Sequence, residues 1–290
     1  MKKKICFIIN PIAGVGQQKN IERLITQCID ASLFDYEVKY TTGPKQATML
    51  AQQAVKENIS IVASVGGDGS LNEVAKGLIG SDTIMGIIPA GSGNGLARHL
   101  NIPLNVKKAL RLLNTGTIKT IDTINLNEDV FINAAGMGFD AHIGWEFSQY
   151  GTRGFWSYVK IILREFPSYK EQEYEITIDG KTTLSKAFLI TIANGSQWGN
   201  NAYISPLSAI DDGMMEIVLL KDVTLFNFFY LVFKLLGKKL HLTSHLKIIK
   251  TKEAIIKQKK TIAHIDGEPI ETDATVVVKV NPSSLKIIAP

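Results

Sequence analysis

Residues 61–78, Ile-Val-Ala-Ser-Val-Gly-Gly-Asp-Gly-Ser-Leu-Asn-Glu-Val-Ala-Lys-Gly-Leu, constrain the chain more than any other stretch. An apolar run of strand length breaks into three glycines around one aspartate, and Leu71, Val74, Ala75 and Leu78 then recur at helical spacing. The reading is strand, tight loop, helix. Such a junction suits a phosphate group, because glycines admit positive φ and close approach to an anion while the N–H groups of a helix start point at it. An aspartate there does not bind phosphate by itself. It holds Mg²⁺, directly or through water, or orients an attacking hydroxyl. Taken alone, the same residues also describe a glycine turn with Asp68 as a helix cap.

Two more junctions of this kind occur in the first hundred residues. Lys4 to Ile9 reads as a buried strand, and Asn10-Pro11-Ile12-Ala13-Gly14-Val15-Gly16 as a loop feeding a helix from about Gln18 to Ile29. Ile84 to Ile88 is a strand followed by Pro89-Ala90-Gly91-Ser92-Gly93-Asn94-Gly95 and a further helix start. Between them lie a strand from Tyr36 to Tyr40, a turn at Thr41-Thr42-Gly43-Pro44 and a helix from Gln46 to Lys56. Strands alternating with helices predict a doubly wound parallel sheet whose ligands bind at the carboxyl ends of its strands. No loop ends in Gly-Lys-Ser/Thr and no first turn has the spacing GxGxxG, which excludes a Walker-type NTPase and a Rossmann dehydrogenase.

With 290 residues the chain is long enough for two cores. The texture changes near residues 120–128, so we expect an α/β domain over 1–124 and a β-rich domain over 125–290, with a last strand at about 284–290 returning to the first. Asn125 to Ala134, Tyr174 to Ile178, Ala187 to Ala193, Glu216 to Leu220 and Thr275 to Val280 read as strands of a β-sandwich, with Asp179-Gly180 a hairpin turn and Gly154 to Phe166 one helical excursion. The two cysteines, Cys6 and Cys28, form no disulfide framework and fit a reducing compartment. The apolar run Ile5–Ile9 after the N-terminal lysines is too short for a signal-peptide core, and no segment reaches the length of a membrane span.

Asp211-Asp212-Gly213 and Asp266-Gly267-Glu268 stand out in the second half. Each alone is a usual hairpin turn. Together with Asp68 they supply what phosphoryl transfer needs: metal ligands and a base for the proton of an acceptor hydroxyl.

These residues carry a resemblance. Asn10-Pro11 with Gly14, Gly66-Gly67-Asp68-Gly69-Ser70-Leu71-Asn72-Glu73, Pro89-Ala90-Gly91-Ser92-Gly93-Asn94, Ser205-Pro206 with Asp211-Asp212-Gly213, and Asp266-Gly267-Glu268 stand in the order of the diacylglycerol kinase catalytic-domain family of bacterial lipid kinases, which includes sphingosine and ceramide kinases. The resemblance implies an α/β nucleotide domain, a β-rich domain and ATP with Mg²⁺ in the cleft between them. It places ATP contacts at Asn10, Pro11, Ile12, Ala13, Gly14, Thr41, Gly66 to Asn72, Ser92 and Asn94, and the proton acceptor at Glu268. Asp68 would assist metal or hydroxyl, Asp266 is an alternative base, and a metal site built partly from carbonyls would fall on Ala209, Asp212 and Met214. Ser70 and Ser92 replace the family's usual threonines, which keeps the hydroxyl, and Gly95 replaces an aspartate common after Asn94. Diacylglycerol, a sphingoid base and another long-chain alcohol all stay open as acceptor.

From Lys221 to Lys260 the chain carries ten lysines against Asp222 and Glu253, beside the apolar run Val223 to Leu236. A lipid enzyme working at an anionic bilayer uses that combination, so we expect a cytoplasmic protein peripheral at the inner membrane surface. A core helix with a solvated lysine rim reads equally well, and both can hold at once. No nucleic-acid recognition motif accompanies the lysines, and His99, His142, His241, His245 and His264 lack metal-ligand spacing. A homodimer is one open arrangement. Two other functions remain: a soluble-substrate kinase resembling NAD kinases, which share the Gly-Gly-Asp-Gly loop, and a nucleotide- or lipid-binding module without turnover.

Overall fold

The computed structural model describes residues 2–12, 20–149 and 155–290. Its chain divides into two compact units, one formed by Met1–Asp122 with Ser283–Pro290 and the other by Thr123–Pro282.

In the first unit strands β1 (Lys3–Ile9), β2 (Phe34–Tyr40), β3 (Ile61–Gly66) and β4 (Ile84–Pro89) alternate with helices α1 (Ile21–Cys28), α2 (Gln46–Lys56) and α3 (Asp68–Leu78). The strands pair in parallel in the order β2-β1-β3-β4. Parallel strands covered on both faces read as unbroken apolar runs, and Ile5–Ile9 and Ile61–Gly66 are buried at every position. Two short helices follow, α4 (Gly95–His99) and α5 (Val106–Thr115), the latter capped by the Asn105 side chain, which accepts from the Lys108 N–H at 3.2 Å. Packing of α2 on α3 is close: a Cβ on Gly77 would meet the Thr48 carbonyl at 2.7 Å. Glu73 of α3 caps α2 from the side, accepting from the Lys45 and Ala47 N–H groups at 2.9 and 3.1 Å.

Strand β5 (Thr117–Leu126) carries the chain into the second unit, where β6 (Asp129–Phe131), β7 (Ala134–Gly138), α6 (Phe139–Gln149), α7 (Phe155–Glu165), β8 (Gln172–Ile178), β9 (Lys181–Ala187), β10 (Leu189–Ala193) and β11 (Met215–Leu220) follow. They are succeeded by α8 (Phe228–Leu236), β12 (Leu246–Thr251), β13 (Glu253–Lys257), β14 (Ile262–Ile265), β15 (Glu268–Glu271) and the long β16 (Thr275–Ala289). One antiparallel sheet has the order β12-β11-β10-β7-β14-β15. The other joins the first part of β16 to β13, β8 and β9, and β16 ends back in the first unit, parallel to β4 at Ile287 and Met85.

Alternate residues of the two sheets of the second unit fill a sandwich core, among them Met137, Tyr174, Ile190, Ile192, Ile217 and Val278. On the far side of β10 and β11, Leu189, Val218 and Leu220 pack under Phe139, Ile161 and Leu231 of the three helices. That second layer explains why β10 is buried throughout instead of alternating.

Three expectations from the sequence need correction. Asn125–Ala134 is not one strand but a β5–β6 hairpin turning at Asn127, where φ is 52°, followed by β7. Ala187–Ala193 divides at Phe188, leaving β9 in one sheet and β10 in the other. Helix α6 follows directly on β7 where only one helical excursion was expected. Among the described residues no helix is long and apolar enough to cross a membrane.

Candidate functional site

At the carboxyl ends of β1, β3 and β4 the registers Ile9↔Val65 and Gly66↔Pro89 bring Asn10 beside the two glycine loops that follow β3 and β4. Asn10 donates its N–H to the Val65 carbonyl and its Nδ2 to Ser70 Oγ at 3.0 Å, tying the first loop to the start of α3. The Asn10 side-chain oxygen accepts from the Ile12 N–H at 3.1 Å, which shapes the turn after Pro11. Thr41, buried at the end of β2, donates its N–H to the Ile9 carbonyl at 2.9 Å. Ala13 and Gly14 lie outside the described residues.

The second and third loops touch backbone to backbone. A Cβ on Gly91 would stand 2.5 Å from Gly67 Cα, and one on Gly66 2.5 Å from Ser70 Oγ, so these positions exclude any side chain. Gly67 is the N-cap of α3, with extended backbone and no side-chain cap hydrogen bond. Asp68 turns away from its own helix and accepts the Gly95 N–H at 2.8 Å, bracing the start of α4. Asn94 adopts φ 53° and exchanges two hydrogen bonds with Gly91, accepting at 3.0 Å and donating at 2.8 Å. Ser92 is exposed at the tip, while Leu71 and Asn72 are buried under the loop. A glycine cradle at a helix N-terminus, with a carboxylate beside it, is an arrangement that fits the phosphates of a nucleotide.

In the second unit the hairpin between β14 and β15 turns at Asp266 and Gly267, with φ of 48° and 86°. The Asp266 carboxylate is buried and accepts the N–H groups of Ile132, Asn133 and Ala134 at 3.0, 2.9 and 3.0 Å. The Asp266 N–H in turn donates to the Ala134 carbonyl at 2.8 Å. Asp266 is thus a main-chain clamp that spends its oxygens on three amides, and Glu268 is an exposed carboxylate next to the clamped turn.

Asp140 and His264 carry no sequence signal of a site, yet they form a buried pair at 3.1 Å behind this hairpin. Gly136 makes the room for it, since a Cβ there would meet the Asp140 and His264 side chains at 2.1 and 2.4 Å. Burial, then the negative charge of Asp140, pushes the neighbouring Tyr169 phenol up. A glycine aligned with a histidine on the next strand is the only trace such a pair leaves in a sequence.

Around Asp211-Asp212-Gly213, Gly213 takes φ 71° and Asp212 accepts the Met214 N–H at 3.0 Å. The other Asp212 oxygen holds the Lys250 ammonium at 2.5 Å, and this hydrogen bond raises the lysine pKa. Ala209 and Met214 flank the turn. Asp211, beside Asp212, is exposed, and among the described residues no three His, Cys, Asp or Glu side chains converge to hold an ion. Ser205, from the neighbouring Ser205-Pro206 pair, donates to the buried Glu216 carboxylate, as does Ser208 at 3.0 Å.

Comparison with known proteins matches a family model to each half of the chain. Residues 4–126 match the diacylglycerol kinase catalytic domain, and residues 133–289 match the YegS C-terminal NAD kinase beta sandwich-like domain. A protein named diacylglycerol kinase from Bacillus subtilis (strain 168) is 29% identical over 231 residues, 78% of this chain and 76% of that one. One named probable lipid kinase YegS-like from Serratia proteamaculans (strain 568) is 31% identical over 216 residues, 72% of this chain and 71% of its own length. A solved structure of a diacylglycerol kinase from Bacillus anthracis str. Sterne superposes with a TM-score of 0.74 at 21% identity, covering 99% of this chain and 97% of that one, a likeness of fold. With catalytic and sandwich domains both matched, the chain belongs to the diacylglycerol kinase catalytic-domain family, in the two-domain form that carries a YegS-type C-terminal half.

Proposed function

We propose that the chain is an ATP- and Mg²⁺-dependent lipid kinase that phosphorylates a hydroxyl of a long-chain acceptor such as a diacylglycerol or a sphingoid base. The observation that carries this reading is the Gly67–Gly91 contact at the N-terminus of α3, a backbone cradle from which side chains are excluded and into which a polyphosphate fits. ATP with Mg²⁺ would supply the γ-phosphoryl group and neutralise its charge. Gly66 to Ser70, Asn10, Thr41, Ser92 and Asn94 would hold the nucleotide, and Asp68 the ion, directly or through water. Glu268 takes the proton from the lipid hydroxyl as the new oxygen–phosphorus bond forms and the bond to the β-phosphate oxygen breaks. Its reach depends on the turn that Asp266 clamps, so Asp266 acts by positioning. Most of what this reaction asks of a protein is orientation and charge stabilisation, which rigid loops provide.

Transfer of labelled γ-phosphate from ATP onto a mixed lipid extract tests the reading, with Glu268→Ala and Asp68→Ala variants alongside. We expect an organic-soluble product that both variants lose. A second reading keeps a specific support: the C-terminal match is to an NAD kinase-like sandwich. Label confined to water-soluble species would favour that soluble-substrate kinase, and ATP binding with no transfer would leave a binding module.

A further inference from the structure

Helix α8 is nine residues long and is seated by one face only. Leu231 is buried, Phe228 and Leu235 pack beside it on the helix-covered side of the sandwich, and the Phe228 ring lies 4.3 Å from that of Phe166. The inward face is thereby filled, and the helix has no room to turn its remaining apolar residues inside. Those residues point outward: Phe226 is 101% exposed, Phe229 and Phe233 are each 74% exposed, and Leu225, Tyr230 and Leu236 lie exposed around them. Isolated exposed apolar residues are ordinary, whereas aromatic residues gathered along one short helix and the turn before it mark a surface that meets something apolar.

Charge selects the partner. From Val223 to His245 the chain holds Lys234, Lys238 and Lys239 and no acidic residue. Lys234 Nζ lies 5.2 Å from the centroid of the Tyr230 ring, and Lys238 Nζ lies 4.2 Å from that of Tyr203, so two of the three ammonium groups are held at the edge of the apolar face. At nine residues, about 14 Å, the helix is far too short to cross a hydrocarbon core of about 30 Å. An apolar helical face rimmed by lysines lies along a membrane interface, its aromatics among the acyl chains and its ammonium groups at the phosphates. A second copy of this chain would set the same lysines against each other.

We propose that the outer face of α8, with Leu225 and Phe226, docks the protein on an anionic phospholipid bilayer. The proposal rests on the reading that the acceptor is a lipid, since docking brings the enzyme to the surface where such acceptors reside, but it can fail or stand by itself. The test is sedimentation of the 290-residue chain with vesicles of phosphatidylglycerol and phosphatidylethanolamine, compared with phosphatidylcholine alone. Phe229→Ser/Phe233→Ser and Lys238→Glu/Lys239→Glu are the test variants, and Leu184→Ser, at an exposed leucine of β9, is the control.

We expect binding to the anionic vesicles that weakens with salt, drops at least about tenfold in each double variant and is unchanged in the control. All variants should keep the far-ultraviolet circular dichroism of the parent, and the docking variants should keep turnover on acceptor dispersed in detergent. Parent protein that ignores anionic vesicles, or a phenylalanine variant that binds as the parent does, overturns the proposal. So does a concentration-dependent dimer that the phenylalanine variant dissociates while vesicles go unbound, which would make a second copy the occupant. Vesicle binding without lipid phosphorylation would uphold docking and sink the kinase reading alone.

Discussion

Asp68 and Asp266 each sit next to a glycine at the end of a strand, and in the sequence they look alike. In the folded chain Asp68, at the start of α3, spends a carboxylate oxygen on the Gly95 N–H across a strand-to-helix loop. Asp266 gives its oxygens to three amides across a hairpin, and its neighbour Glu268 stays exposed. The first aspartate stiffens the pocket it belongs to, while the second stiffens a support for another residue. Proximity to a glycine turn therefore does not separate a reacting carboxylate from a bracing one.

The sharpest test of that contrast is Glu268→Ala, which should lower kcat by about 10²- to 10⁴-fold, as loss of a general base does, with the melting temperature unchanged. Asp266→Ala should show the opposite balance. It leaves three buried N–H groups without their charged acceptor and should cost about 3 kcal/mol of stability, read as a lowered denaturation midpoint. Equal stability losses in the two variants would erase the distinction. In the first unit Gly91→Ala forces the Gly67 and Gly91 backbones apart and should weaken nucleotide binding about tenfold by calorimetry, with a stability loss of about 1–3 kcal/mol.

At the small end lies Lys250→Met. Asp212 raises the Lys250 pKa, so the pair's stabilisation is complete below the ordinary lysine range and fades as pH rises through the raised folded value. With the Lys250 side chain 47% exposed, the loss should be below about 1 kcal/mol near neutral pH and should vanish in strong alkali. A loss of several kcal/mol would mean that this turn matters as much as the Asp266 hairpin. Both cysteines are buried, and burial first, then a hydrogen bond to Glu37, pushes the Cys6 thiol up to about 12. The native chain should accordingly leave a thiol reagent at pH 8 unconsumed until denaturant is added.

Much of the first unit was legible because its periodicity is local. The residues predicted for α2, Gln46 to Lys56, are those that form it, and the three glycine loops follow strands whose apolar runs are unmistakable. The second unit was less so, for physical reasons. At Phe188 the chain passes from one sheet to the other without a glycine or proline to mark the change. Helix α6 starts straight from β7, its polar residues Asp140 and His142 both engaged with partners distant in the chain. The α8 stretch was apolar on nearly all sides, and only its seating on Phe166 decides which residues face out. The Asp140–His264 pair joins residues 124 apart and was invisible before folding.

Strand β16 begins in the sandwich and finishes beside β4, so residues 283–290 complete the sheet that β1 opened. A ribosome delivers that closing strand only after every residue of the second unit has emerged. The unit made first is therefore left with an open edge on β4 during synthesis, an invitation to wrong pairing that ends when the last strand arrives. Removing residues 283–290 should harm the nucleotide half of the molecule more than the sandwich from which they extend.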